Sequence, residues 1–589
     1  MARAASFLMA FFIIATATAG ETDPAAPKKA GAKVSGHAKV RVRERLDRGV
    51  EAVRSSPAKV YAGWRLLEDD TAGVAFNVYR RIADARPEKV NPKPIRTTTD
   101  FVDSTAPGGH CVSYSVRAVS GAAEGPASPE VQAVECPGKA AYLRIPLGDK
   151  KTTVQKVGIG DLDGDGRCDF VLKTPKDNID PYEKYWSRSP DTYTLEAYGH
   201  DGKPLWQYDL GWAIERGIWY SPYLVYDFDG DGRAEVAVKT GEGDPRGSDG
   251  RVQTGPEHLT ILDGRTGKPI TRVDWPSRDA FGSYNYASRN QLCVAYLDGK
   301  TPCLLVERGT YTAIILVAYE FHDGKLRELW RWDNRNEPRK FRGQGAHWMH
   351  AADVDGDGRD EAAIGSAMID DDGTALWCTG LGHPDHFYLG KIDPDRPGLQ
   401  IYYGIETRNK RNSMCLVDAR TGQILWGHDE PTTHIHASGL CSDIDPAHPG
   451  NECYSGERDF KDKRWLRSAQ GKVISTNDLG GLSPRSAYWD ADRQRELVVG
   501  SRVFKYGAAE PLARIEGNLV AVVDLLGDWR EEILTSVPGE LRIYTTTIPA
   551  KDRRACLLQD PIYRIDVAAA AMGYYQVPMT SYDLATGKR

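Results

Sequence analysis

The sequence predicts an all-β protein, an eight-bladed β-propeller preceded by a fibronectin type III-like β-sandwich. Three observations carry this: an acidic loop that occurs three times, five weaker copies of the segment bearing it, and hairpin signatures after several copies. The loops read Asp161-Leu-Asp163-Gly-Asp165-Gly-Arg-Cys-Asp169, Asp227-Phe-Asp229-Gly-Asp231-Gly-Arg-Ala-Glu235 and Asp353-Val-Asp355-Gly-Asp357-Gly-Arg-Asp-Glu361. Alternate carboxylates, glycines that permit a sharp turn and a closing acid form the oxygen ligand set that Ca²⁺ takes. All twelve of these acidic residues are expected metal ligands. Each loop runs into an apolar, β-rich stretch (Phe170 to Thr174, Val236 to Thr240, Ala362 to Gly365), so they are calcium loops on strands, not EF-hands.

The weaker copies begin near Val294, Lys391, Asp443, Asp490 and Asp524, each an acidic or turn segment followed by a short apolar strand. With the strong loops this makes eight copies. About 430 residues over eight copies is roughly 54 each, the size of a four-stranded blade with its loops. Leu259-Thr-Ile-Leu-Asp263-Gly-Arg-Thr-Gly267-Lys-Pro-Ile270 and Cys415-Leu-Val-Asp418-Ala-Arg-Thr-Gly422-Gln-Ile-Leu-Trp426 place Gly tips between apolar runs, as hairpins do.

Upstream, Met1 to Ala19 has an early Arg3, an apolar run from Phe7 to Ile14 and Ala17-Thr-Ala19 before Gly20, the pattern of a secretory signal peptide covering 1–19. Its apolar run is too short to span a bilayer, and no other stretch is long enough. A secreted or periplasmic monomer without a membrane span is expected. Residues 20–56, rich in Ala, Pro, Lys and Arg, read as a flexible linker. Residues 57–137 carry short strands split by Pro and Gly, the sandwich, in which Cys111 and Cys136 could pair; residues 138–589 form the propeller. A net charge of −6 with scattered Lys and Arg gives no reason to expect nucleic acid as a partner.

Chemistry concentrates in histidines. Six of the 13 fall in Gln344-Gly-Ala-His347-Trp-Met-His350, Gly382-His383-Pro-Asp385-His386 and Thr433-His434-Ile-His436. Each segment stands at the same phase of its repeat, just upstream of the loop taken to begin the innermost strand. Phase-matched positions of a propeller converge on one end of its channel, which makes these residues a candidate site.

Gly-Gln-Gly-Ala-His347, Asp371-Asp-Gly-Thr, Thr379-Gly-Leu-Gly-His383-Pro-Asp385, Gly527-Asp-Trp-Arg-Glu-Glu532, Leu541-Arg-Ile-Tyr-Thr-Thr-Thr547 and Gln559-Asp-Pro-Ile-Tyr563-Arg resemble the rhamnogalacturonan lyases of polysaccharide lyase family 11. The likeness covers nearly the whole mature chain. It implies a calcium propeller that cleaves an acidic plant-type polysaccharide, the pectin backbone of alternating rhamnose and galacturonate. It also implies that His347 and His383 are calcium-associated and that Tyr574 contacts sugar. Two family features are missing: a functional arginine, where this chain reads His436-Ala-Ser438-Gly439, and a lysine, where it reads Arg514-Ile-Glu-Gly-Asn518-Leu.

Uronate lyases remove the C5 proton alpha to a carboxylate and expel the C4-linked sugar, which needs a base and a cation. His434, His436 and Tyr574 are candidate bases, with Arg308 and Arg485 as cationic partners. Two other readings stand beside this one: a non-catalytic calcium-stabilised propeller that binds a polysaccharide or protein, and, less favoured, a quinone-dependent dehydrogenase, whose tryptophan-docking repeats the sequence lacks.

Overall fold

The computed structural model describes residues 31–135 and 140–589. The expected signal peptide and Cys136 lie outside the described residues. The chain is all-β, with one helix of appreciable length among the described residues, Pro561–Ala569. Eight four-stranded antiparallel sheets dominate. In seven, the strands follow one another in space as in sequence, starting at Lys156–Gly160, Tyr223–Tyr226, Asn290–Ala295, Gly345–Ala352, Pro384–Gly390, Leu440–Ser442 and Arg485–Ala487. The eighth joins the ends of the repeat: Ala141–Pro146 pairs with Glu540–Thr545, which pairs through Glu532–Val537 with Asn518–Val523. First strands are almost wholly buried, polar residues included, and pack beside the first strands of neighbouring sheets.

Two recurring devices explain why the repeat tolerates weak copies. In six of the eight sheets the acid that closes the loop opens the second strand and accepts backbone N–H groups from the loop's start, and Gln400 does so in a seventh. Glu235 accepts from Phe228, Glu361 from Val354, Glu452 from Ile444 and Asp445, Glu496 from Trp489 and Asp490, and Glu532 from Leu525 and Leu526. These buried N–H groups would otherwise lack partners. The second device links sheets. Trp206, Trp330, Trp377 and Trp426, on fourth strands, donate their indole N–H to Gly264, Asp371, Ala419 and Ala469 in the hairpin of the next sheet. Gly267, at φ 68°, turns beneath Trp206, where a Cβ would stand 2.5 Å from the ring. Tryptophan docking is therefore present, contrary to the sequence expectation: an indole's partner lies in the following sheet, some 40–60 residues on, and no local pattern marks it.

The N-terminal module packs two sheets around Trp64, Phe76, Val78, Tyr114 and Val116. Glu51–Ser56 belongs to it, paired with Lys59–Gly63. The flexible linker expected over 20–56 is thus corrected for its described part. Residues 31–50 form a strap hydrogen-bonded to distant loops, with Val42 N–H donating to Lys300 O and Asp47 N–H to Gly166 O. Arg41 lies over Tyr296, and Glu44 accepts from Arg564. The strap lacks periodicity because many of its partners are remote. At the module's base, the Arg530 guanidinium contacts Asp528 and the Tyr61 hydroxyl, and Ala550 N–H donates to Asp100.

The helix is capped by Asp560, which accepts from Ile562 and Tyr563, and has Pro561 at its first turn. It packs against the first strands of four sheets, and Arg564 reaches the carbonyls of Ile159 and Val225. The following residues, 570–577, lead from the helix to the histidines.

Candidate active site

The inner strand Gly345–Ala352 has His347 near its start and the loop Asp353–Glu361 after its end. The expected phase is corrected: the loop ends the innermost strand and does not begin it. Six residues of strand, at about 3.3 Å each, put roughly 20 Å between His347 and Asp353. Histidines and acidic loops occupy opposite ends of the sheets, and the strap lies on the loop end.

Four of the six clustered histidines converge. His383 Nε2 lies 3.2 Å from His347 Nε2 and 3.1 Å from Glu406 Oε2. His347 Nε2 is 3.6 Å from Asp385 Oδ1. His434 Nε2 is 3.0 Å from Glu406 Oε1, and His436 Nδ1 is 2.6 Å from Asp385 Oδ2. The other two are structural. His350 bridges Asp566 and the Phe387 carbonyl, anchoring the helix; His386 bridges the Ala437 carbonyl and Ser455 Oγ.

A cleft of about 640 Å³ opens over the cluster. Tyr574 and Trp219 pack on His347, with ring centres 4.9 and 4.7 Å away, and Tyr311 packs on His383 at 4.8 Å. Aromatic faces beside polar groups suit the C–H faces and hydroxyls of sugars. Arg289 reaches the same wall but is held in a two-pronged ion pair with Asp180; Arg458 lines the cleft, paired only with its exposed neighbour Asp459.

The candidate residues separate. His434, His436 and Tyr574 lie at or beside the cleft. Arg308 does not: it is buried and its guanidinium is bound to Glu257, which also binds Lys239 and Arg278. Three cations on one carboxylate make a structural cluster, and they hold Glu257 well below the usual range although burial opposes this. Arg485 lines an adjoining cavity. Asp385 and Glu406 were not singled out from sequence. Asp385 stands between two histidines in a segment that drew attention for its imidazoles; Glu406 is one acid after the apolar strand Gln400–Ile405, its only signal.

Electrostatics gives these groups different roles. Burial, then the neighbouring His383, pushes His347 well below the usual imidazole range, so it is neutral. Burial would raise Glu406, but hydrogen bonds from His383 and His434 hold it well below the carboxylate range. Burial would lower His436, yet the Asp385 hydrogen bond raises it. Burial pushes the Tyr574 phenol well up.

The residues fit metal ions at the cleft and at the three acidic loops. One ligand atom from each of His347, His383, Asp385 and Glu406 lies within 4.8 Å of the others, as do those of Asp161, Asp163 and Asp169, of Asp227, Asp229 and Asp231, and of Asp353, Asp355 and Asp357. In the loops, burial and then neighbouring carboxylates push Asp161 and Asp227 up to about 6, the frustration that a bound cation removes, although backbone N–H groups counteract it. Asp165, Glu235 and Glu361 fall outside these groups; the two glutamates instead hold backbone N–H groups. Two imidazoles with two carboxylates accept a divalent cation, although imidazole is an uncommon Ca²⁺ ligand.

Residues 148–589 match a family model described as rhamnogalacturonan lyase family 11, C-terminal domain, and residues 41–134 one described as rhamnogalacturonan I lyases beta-sheet domain. The chain is 36% identical to rhamnogalacturonan endolyase YesW of Bacillus subtilis, over 92% of this chain and 91% of the relative. It is 34% identical to rhamnogalacturonan exolyase YesX of the same organism, over 94% and 97%. The solved structure of a Bacillus licheniformis rhamnogalacturonan lyase superposes with a TM-score of 0.84 at 34% identity, covering 94% of this chain and 98% of that one.

Proposed function

Because the chain belongs to rhamnogalacturonan lyase family 11, we propose that it is a calcium-dependent polysaccharide lyase that cuts a rhamnogalacturonan backbone by β-elimination at the histidine cleft. The observation that carries the site assignment is the convergence of His347, His383, His434 and His436 with Asp385 and Glu406 beneath an aromatic wall.

The chemistry follows from the contacts. With its Nδ1–H donated to Asp385, His436 has Nε2 free as a base, and Nε2 has no partner among the described residues. His434 is less suited, since its Nε2 is engaged by Glu406. His436 takes the C5 proton, the C–H electrons form the C4=C5 bond, the C4–O bond breaks, and Tyr574, held protonated, gives its proton to the departing oxygen. His347, His383, Asp385 and Glu406 would hold a divalent cation, which would supply positive charge for the developing carboxylate dianion. The substituted family positions leave the base to the Asp385–His436 pair.

We read the eight sheets as the blades of a closed propeller, supported by the eighth sheet, which joins the first strand of the repeat to its last three. The N-terminal module reads as fibronectin type III-like, supported by its two packed sheets. Among the described residues no helix is long and apolar enough to cross a membrane, and residues 1–19 support export; a secreted or periplasmic monomer with calcium in its acidic loops is the matching reading.

The test is incubation with a panel of uronate polysaccharides. Rhamnogalacturonan should yield product absorbing in the ultraviolet, and its carboxyl-reduced form should not. Tight binding without product from any uronate polymer would replace the lyase with a non-catalytic propeller.

A further inference from the structure

Beside the histidine cleft lies a second cavity of about 360 Å³, sharing His436 and Tyr574 with it. The two hollows are one continuous surface of opposite character. The histidine cleft mixes acids and bases, whereas the second is lined by Lys156, Lys176 and Arg485 and by no Asp or Glu.

These cations have no ion-pair partner among the described residues. Lys156 is 6% exposed; its ammonium donates to the carbonyls of Met572 and Gly573, at 3.1 and 2.7 Å, leaving one of three protons unused. Arg485 donates to the carbonyls of Ser483 and Pro484 and to Ser438 Oγ. In strand register Lys156 faces Lys173, which is also buried and donates only to Ser221. Carbonyl dipoles orient a cation but do not neutralise it, and an uncompensated buried charge is costly. Arg308 and Lys239, also buried, show how this fold settles such charges: both sit on Glu257. Nothing comparable serves Lys156 or Arg485, and the mutual repulsion of these two helps burial to bring the Lys156 ammonium down to about 7.

We infer that this cavity is a carboxylate-binding subsite that takes the uronate of a substrate unit beyond the one being cut. The inference rests on the lyase reading, since in a backbone of alternating neutral and acidic sugars a second carboxylate recurs at a fixed spacing from the reacting one. Arg485 offers a planar fork and Lys156 and Lys176 offer point charges. The family's missing arginine and lysine are thereby answered by cations from other sheets, used for binding.

The test uses the full chain and a galacturonosyl-rhamnose disaccharide, whose uronate carries nothing on C4 and cannot be cleaved, beside its carboxyl-reduced counterpart. Calorimetric titration should show Kd for the acidic disaccharide rising roughly tenfold to a hundredfold in Arg485→Gln and in Lys156→Gln, the scale of losing a charge-assisted hydrogen bond. The reduced disaccharide should bind all three proteins alike, which also excludes misfolding. Unchanged affinity in both variants, or equal losses for acidic and reduced ligands, would overturn the subsite. Carboxyl-dependent binding without cleavage of the polymer would keep the subsite and remove the lyase.

Discussion

At the residue scale the site depends on which nitrogen and which oxygen is already engaged. On the proposed mechanism His436 with its Asp385 partner is the base, so His436→Ala should lower kcat on rhamnogalacturonan by about 10²-fold or more, the usual scale for losing a general base. The melting temperature should hardly move, because this partly exposed ring is not part of a core cluster. Full activity in that variant would move the base to another group. His350→Ala should behave oppositely and lose stability, since that ring ties Asp566 to the Phe387 carbonyl. In sequence the resemblance and the search for a base single out His347, His383, His434 and His436, and the contacts show these four meeting while His350 and His386 act as ties. Asp385 and Glu406 were hidden: an acid is ordinary until its neighbours are known.

At the scale of elements, the repeat was legible where local chemistry makes it so. Turn glycines, closing acids and apolar second strands mark each sheet, whereas the joins between sheets depend on distant partners. The Trp377 indole crosses to Ala419 and covers Gly422. Trp377→Ala should therefore cost about 2 kcal/mol in a urea titration, less than for a fully buried indole. A loss near zero would mean that neighbouring sheets do not rely on this contact. The joint with the N-terminal module makes a pH prediction. Burial raises the Glu51 carboxyl from 4.5 to about 8, with Asp528 and Asp100 adding to this against Thr545 and Arg530. Between those values the folded carboxyl is protonated and the unfolded one ionised. The folded state then binds more protons, so stability from this group falls as pH rises through the window. Glu51→Gln, a neutral isostere, should flatten the decline in melting temperature between about pH 5 and 8. A decline identical to the unsubstituted protein's would show that Glu51 is ionised when folded.

At the scale of the whole molecule, the acidic loops stand at one end of the sheets and the histidines at the other, joined by inner strands and by the helix Pro561–Ala569, whose continuation carries Tyr574. Chelation should lower the melting temperature by many degrees, with Ca²⁺ restoring it and Mg²⁺, which demands a tighter octahedral site, restoring little. An unchanged melting curve after exhaustive chelation would leave the loops as hydrogen-bonded turns without a metal. The strap over 31–50 escaped the sequence reading because it has no period of its own; it covers the loop end beside Tyr61 and Arg65, which reach Arg530 and the Leu525 carbonyl. The central claim is elimination at the histidine cleft, and cleavage of rhamnogalacturonan in water enriched in ¹⁸O tests it most directly. Elimination breaks the C4–O bond without adding water, so mass spectrometry should find unsaturated fragments with no heavy oxygen introduced at cleavage, once exchange at the free reducing ends has been subtracted. Saturated fragments, one water heavier and each carrying an ¹⁸O from the scission, would show hydrolysis and contradict the account.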